Sequence, residues 1–262
     1  MNLSISNLAW NESENDAIYN YIKENGFSGI EIAPKKIFSQ FPDGIQEEID
    51  TFRLQISTRY ALEIASMQSI WFGCTENIFS SKQERTYLLD YTKKIIKFAE
   101  KLFCKNIVFG CPRNRAYTGI LDYEIAFSFF YDLGCFAIEH NTVIALEANP
   151  LIYGTNFLNT TSDTIDFVKK VNCDGLKVNL DTGTIIQNNE NITSYAGDFS
   201  LISHVHISEP NLELIQKRQL HNMIADMLRQ NVYNNYVSIE MKYSNNIDKI
   251  KKVIRYIKSV FD

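Results

Sequence analysis

Residues 176–181 read LKVNLD. Alternate side chains of an extended strand face opposite sides, so Leu176, Val178 and Leu180 share one face and Lys177, Asn179 and Asp181 the other. The aliphatic face must be buried under helices, and the polar face must turn the other way. The same division recurs in its neighbours. In 142–148 (TVIALEA), Ile144 and Leu146 oppose Val143, Ala145 and Glu147. In 204–208 (HVHIS), Val205 and Ile207 oppose His204 and His206; in 236–241 (YVSIEM), Val237 and Ile239 oppose Tyr236, Ser238 and Glu240.

Toward the N-terminus, further strand-forming runs occupy 3–9, 29–32, 61–68 and 106–110, and segments such as 14–25, 83–103, 124–140 and 161–171 carry the apolar period of a surface helix. Eight strands, each followed by a helix and with no linker or low-complexity tract, predict an α/β fold: a single-domain (β/α)8 TIM barrel over 1–262, close to the roughly 250 residues typical of that fold. A doubly wound open sheet is the alternative, because alternation alone does not close a sheet. The turn after the first strand has no glycine-rich phosphate fingerprint, which counts against a dinucleotide fold.

Composition narrows the function. Apolar residues at 45% and charged residues at 22% suit an ordinary globular protein. A net charge of -5 argues against nucleic acid or an anionic membrane as partner. The basic run at 247–258 has helical apolar spacing and reads as a solvated helix face. Five cysteines without a CxxC pair suggest reduced thiols. The N-terminus lacks the basic start and apolar run of a signal peptide, and no stretch reaches membrane-spanning length. The expected location is cytoplasmic.

Polar residues inside a barrel are unusual, since interiors are normally filled by bulky branched side chains. Burying three unpaired carboxylates would cost several kcal/mol each, so a positive group is expected among them. Glu147, Asp181, His206 and Glu240 fall at or near the C-terminal ends of four successive strands, 34, 25 and 34 residues apart. Three oxygen ligands and one imidazole suit one divalent metal ion, Mn²⁺, Mg²⁺, Co²⁺ or Zn²⁺. Each residue alone reads as a satisfied core polar group; four together on one rim read as a metal site. His204, one layer deeper, is expected to support rather than ligate, and Lys177 to neutralise the carboxylates from below.

The segments 26–32 (GFSGIEI), 144–150 (IALEANP), 178–183 (VNLDTG), 204–210 (HVHISEP) and 238–242 (SIEMK) carry, in order and spacing, a resemblance to the xylose-isomerase-like barrel superfamily, the sugar phosphate isomerase/epimerase group. It covers nearly the whole chain. The stretches 67–73 (MQSIWFG) and 109–115 (FGCPRNR) are similar to a less characterised branch associated with bacterial sugar metabolism. The resemblance implies that Glu147 and Glu240 both bind the metal and act as catalytic acid/base groups, with Asp181 and His206 completing the metal shell. It implies a metal-dependent isomerase or epimerase acting on a sugar or sugar phosphate. One Glu would take a proton beside a metal-polarised carbonyl, and return of that proton to the metal-stabilised enediolate would invert or isomerise the sugar.

Thr184 and Leu212 stand where ketose epimerases of the group carry His and Arg, so free-ketohexose recognition through those groups is not expected. Arg113 and Arg115 are candidates to hold a phosphate or carboxylate, or are solvent-exposed loop residues. Glu31 and Gln68 either bind sugar hydroxyls or supply rim polarity, and Trp71 either stacks on substrate or packs. Relatives are commonly oligomers, which implies a homo-oligomer.

An abasic-site endonuclease needs several histidines on early strands, and none precedes His140. A metal-dependent dehydratase of an inosose or dehydroshikimate-like acid fits the same residues, and a non-catalytic carbohydrate-binding barrel is the third alternative.

Overall fold

The computed structural model describes residues 1–195 and 197–262. Among the described residues the strands are β1 (Asn2–Ile5), β2 (Gly29–Ile32), β3 (Glu63–Met67), β4 (Asn106–Phe109), β5 (Val143–Glu147), β6 (Leu176–Asp181), β7 (Ile202–Ile207) and β8 (Tyr236–Ile239). All pair in parallel, in the order β1-β8-β7-β6-β5-β4-β3-β2. Sequential neighbours lie side by side, and a single bridge between Ser6 and Glu31 brings β1 back to β2. The sheet is therefore a nearly closed TIM barrel, and the doubly wound order is excluded.

Helices α1 (Asn15–Glu24), α2 (Gln46–Leu54), α3 (Lys82–Lys101), α4 (Tyr123–Glu139), α5 (Thr161–Val171), α6 (Thr182–Asn188), α7 (Gln219–Gln230) and α8 (Ile247–Phe261) connect the strands. Their ends follow local chemistry. Ser81 and Thr160 accept from the backbone N–H of Glu84 and Asp163 at the starts of α3 and α5, and Asn172 stops α5 in the left-handed conformation. None of the described helices is long and apolar enough to cross a membrane.

The aliphatic strand face packs under the helices as alternation requires: Ile144, Leu146, Val178, Leu180, Val205, Ile207, Val237 and Ile239 are all buried. Each contributes about 1.5–3 kcal/mol of hydrophobic stabilisation. The opposite face fills the barrel with Ser4, Glu31, Ser66, Asn179, His204, His206 and Ser238, all buried. The register of β2 on β3 shifts between Ile30 and Glu31, which sets Glu31 beside Ser66.

Candidate metal centre

At the C-terminal rim, β6–β7 pairing sets Asp181 beside His206, and β7–β8 pairing sets His206 beside Ser238, two residues before Glu240. Glu147 pairs with Asn179, two residues below Asp181 on the same inward face. One ligand-type atom from each of Glu147, Asp181, His206 and Glu240 falls within 4.8 Å of the others. His206 Nδ1 lies 3.0 Å from Glu147 Oε1 and 3.2 Å from Glu240 Oε2.

Charge in this cluster is unbalanced. Burial pushes the Asp181 carboxyl up to about 7, with Glu147 and Glu240 adding repulsion. Burial also raises Glu240, beyond what His206 offsets. Burial alone would raise Glu147 too, but its hydrogen bond and charge contact with His206, then Asn149 and Arg115, hold it below the usual carboxylate range. His206 is raised well above an ordinary imidazole: burial opposes its charge, and Glu31, Glu240 and Glu147 overcome that. Asp181, Glu240 and His206 thus hold on to protons that a divalent cation would displace, while Glu147 stays ionised. The donor set of carboxylate oxygens and one imidazole nitrogen fits such an ion.

Glu147 is tightly oriented. Asn179 Nδ2 donates to its Oε1 at 2.7 Å and Asn149 Nδ2 to its Oε2 at 3.1 Å. Arg115, fully buried, donates from Nη2 to the Glu147 carbonyl and to Asn149 Oδ1, each at 2.7 Å. Asp181 accepts from the Thr184 backbone N–H at 2.6 Å and from the Ser208 hydroxyl.

Beneath the cluster lies Glu31, fully buried. Its Oε2 accepts from the Ser66 hydroxyl, from His204 Nε2 and from His206 Nε2, the last two at 2.9 Å; its Oε1 accepts from Gln68 Nε2 at 3.0 Å. Burial works against this charge, and the two imidazoles hold the carboxyl well below its ordinary range. With His206 Nε2 bound to Glu31, Nδ1 is the nitrogen that faces Glu147, Asp181 and Glu240. Glu31, His204 and His206 also meet the spacing of a metal group, but their facing atoms are already joined by hydrogen bonds.

A cavity of about 200 Å³ opens above the cluster, walled by Glu147, Asp181 and Glu240 with Gln68, Asn149 and Tyr153. Gln68 is where alternation placed it, although its Nε2 is committed to Glu31 and Ser6. Several expectations are corrected by packing. Glu31 sits below this cavity and does not line it. Trp71 is a core residue, its indole N–H on Thr92 at 2.9 Å and its ring edge-on to Phe109. Arg115 is folded under β5 rather than presented to an anion, while Arg113 is exposed beyond β4. Lys177 lines a separate cavity of about 730 Å³ at the opposite mouth, with Lys105, Glu63 and Tyr236. Asn179, not Lys177, is the inward β6 residue that meets the carboxylates. His204 lies one layer below the cluster, against Glu31.

Asn149, Asn179, Ser208 and Tyr153 had no role assigned from sequence. Asn149 and Asn179 share strand parity with Glu147 and Asp181, which was the available signal.

A family model described as xylose isomerase-like TIM barrel matches residues 19–260. The chain belongs to this family. No curated protein matches it by sequence. Among solved structures, D-psicose 3-epimerase from Clostridium cellulolyticum H10, with D-tagatose, superposes at a TM-score of 0.81 and 17% identity over 100% of both chains. The 3-keto-D-glucoside 4-epimerase of E. coli gives 0.79 and 17% over 99% of both. The IolI protein with a zinc atom gives 0.74 and 15%, covering 99% of this chain and 96% of that one. At these identities the likeness to the solved structures is one of fold.

Proposed function

We propose that this xylose isomerase-like barrel is a divalent-metal-dependent isomerase or epimerase of a sugar or sugar phosphate. The observation that carries the reading is the convergence of Glu147, Asp181, Glu240 and His206 Nδ1 within 4.8 Å at the floor of the rim cavity. These four residues would hold the ion, which when bound supplies Lewis-acid polarisation of a substrate carbonyl. The activities named for the two epimerases of like fold support a carbohydrate substrate.

The chain's own groups supply the proton chemistry. Glu147 and Glu240 approach the cavity floor from different strands, so a substrate carbon held between them meets a carboxylate on either side. One takes the proton next to the carbonyl and the other returns it. Return to the same carbon from the opposite side inverts it; delivery to the neighbouring carbon isomerises the sugar. Glu31 fixes the His206 ring, while Asn179, Asn149 and Arg115 hold Glu147 in place. The cavity admits a small polar substrate, and Gln68, Asn149 and Tyr153 offer polar atoms on its wall.

Elemental analysis is the first test. About one divalent ion per chain in the metal-supplemented protein, and little in Asp181→Asn, is expected. Free and phosphorylated sugars incubated in deuterium oxide should then gain solvent deuterium at one carbon. Release of water instead would move the reaction to a dehydratase. A metal-supplemented protein that retains no ion would sink the proposed centre.

A further inference from the structure

On the N-terminal side of β6, away from the rim, Cys135 of α4 and Cys173 in the α5–β6 connection lie with their Sγ atoms 3.8 Å apart. Both are free thiols and both are partly exposed. The contact follows from an unusually close packing of α4 on the turn at 172–175. Asn172 ends α5 in the left-handed conformation, which turns the chain toward α4. A Cβ on Gly175 would lie 1.9 Å from the Gly134 carbonyl oxygen, and one on Gly134 would lie 2.7 Å from Cys173 Sγ. Two glycines therefore let helix and turn touch backbone to backbone. Gly134 is kept inside a helix at a propensity cost of about 1 kcal/mol, and its place brings the neighbouring Cys135 against Cys173.

We propose that Cys135 and Cys173 are an oxidation site, closing to an intramolecular disulfide that braces the barrel. With hydrogen peroxide as oxidant, the first thiol is oxidised to a sulfenic acid with release of one water. The second sulfur then attacks that sulfur, the S–S bond forms and a second water leaves. Two thiols are oxidised and one peroxide is reduced. Burial pushes the Cys173 thiol up, which keeps it protonated and slows its own reaction with the oxidant. The bond would close a 38-residue separation spanning the whole of β5 and α5. It lies at the feet of the strands carrying Glu147 and Asp181, opposite the rim, so it would brace the fold without touching the metal cluster. The proposal is independent of the reading of that cluster.

The test starts from fully reduced full-length protein with five free thiols. After hydrogen peroxide treatment, thiol counting should give three, and non-reducing peptide mass mapping should find Cys135 joined to Cys173. Loop-closure entropy for this span predicts a Tm rise of several degrees, up to on the order of 10 °C, reversed by dithiothreitol. Cys135→Ser and Cys173→Ser should each show no oxidant-dependent shift, a comparison made within each variant and so insensitive to its own baseline stability. Sulfinic acid at Cys135 with Cys173 still free, or a different linkage, overturns the oxidation site. The expected linkage without a Tm rise overturns the brace.

Discussion

Glu31 accepts hydrogen bonds from four side chains, and two of them are the histidines of β7. A carboxylate that receives His206 Nε2–H fixes both the ring plane and the nitrogen presented to the metal cluster, and loss of such a partner typically weakens metal binding 10–100-fold. Glu31→Gln replaces one accepting oxygen with an amide that donates. Its expected effect is a 10–100-fold rise in the dissociation constant for Mn²⁺, measured by calorimetry, with the fold unchanged by circular dichroism. An unaltered constant would show that the ring is held by its strand alone. The four proposed ligands were legible in the sequence because strand parity and strand ends fix them. Arg115 was not. Cys111 takes a left-handed turn at φ 46° and opens a short 3-10 turn through Arg115, and that turn, rather than any residue pattern, sends the guanidinium beneath β5.

At the scale of elements, β6 and β7 are clasped where they leave the barrel. Thr182 Oγ1 donates to the Ser208 carbonyl and accepts from the Ser208 N–H. The Ser208 hydroxyl accepts from the Gly183 N–H at 2.8 Å and donates to Asp181. Asp181 is also the N-cap of α6, so one carboxylate starts a helix and belongs to the proposed metal cluster. Ser208→Ala leaves the buried Gly183 N–H without its acceptor, at a cost of about 1–3 kcal/mol. Urea unfolding should show a loss of that size; a loss below about 0.5 kcal/mol would mean that the β6–β7 clasp does not depend on the hydroxyl. Strands and helices were readable from their periods, but this clasp was not. It depends on the register between strands, which shifts between Val178 and Asn179, and alternation within one strand carries no information about such a slip. The same holds for Glu31: parity turned it inward, while the shifted β2–β3 register set its depth.

The whole molecule is a barrel with ionisable groups buried in its interior, so binding of the proposed ion would be linked to folding. Without an ion, Asp181 holds its proton up to about pH 7, whereas an exposed aspartate releases it near pH ~4. The folded chain then binds more protons than the unfolded chain across that window, and stability falls as pH rises. The raised groups Glu240 and His206 act in the same direction. Glu31 and Glu147, both held low, contribute stability that is complete above the ordinary carboxylate range and lost only on acidification below it. From pH ~5 to ~7 the metal-depleted protein should therefore lose stability, by at most about 1.4 kcal/mol per unit for the Asp181 proton, and Asp181→Asn should flatten the slope. Mn²⁺ at a hundred times its dissociation constant should add about 2.7 kcal/mol, a Tm rise of roughly 5–11 °C. It should also turn the slope upward with pH, because binding favours the deprotonated ligands. Scanning calorimetry across this range, with and without the ion, separates the two readings of the cluster. A Tm that ignores Mn²⁺ at every pH would make the four side chains a proton-sharing core network, and the barrel would owe its polar interior to hydrogen bonding alone.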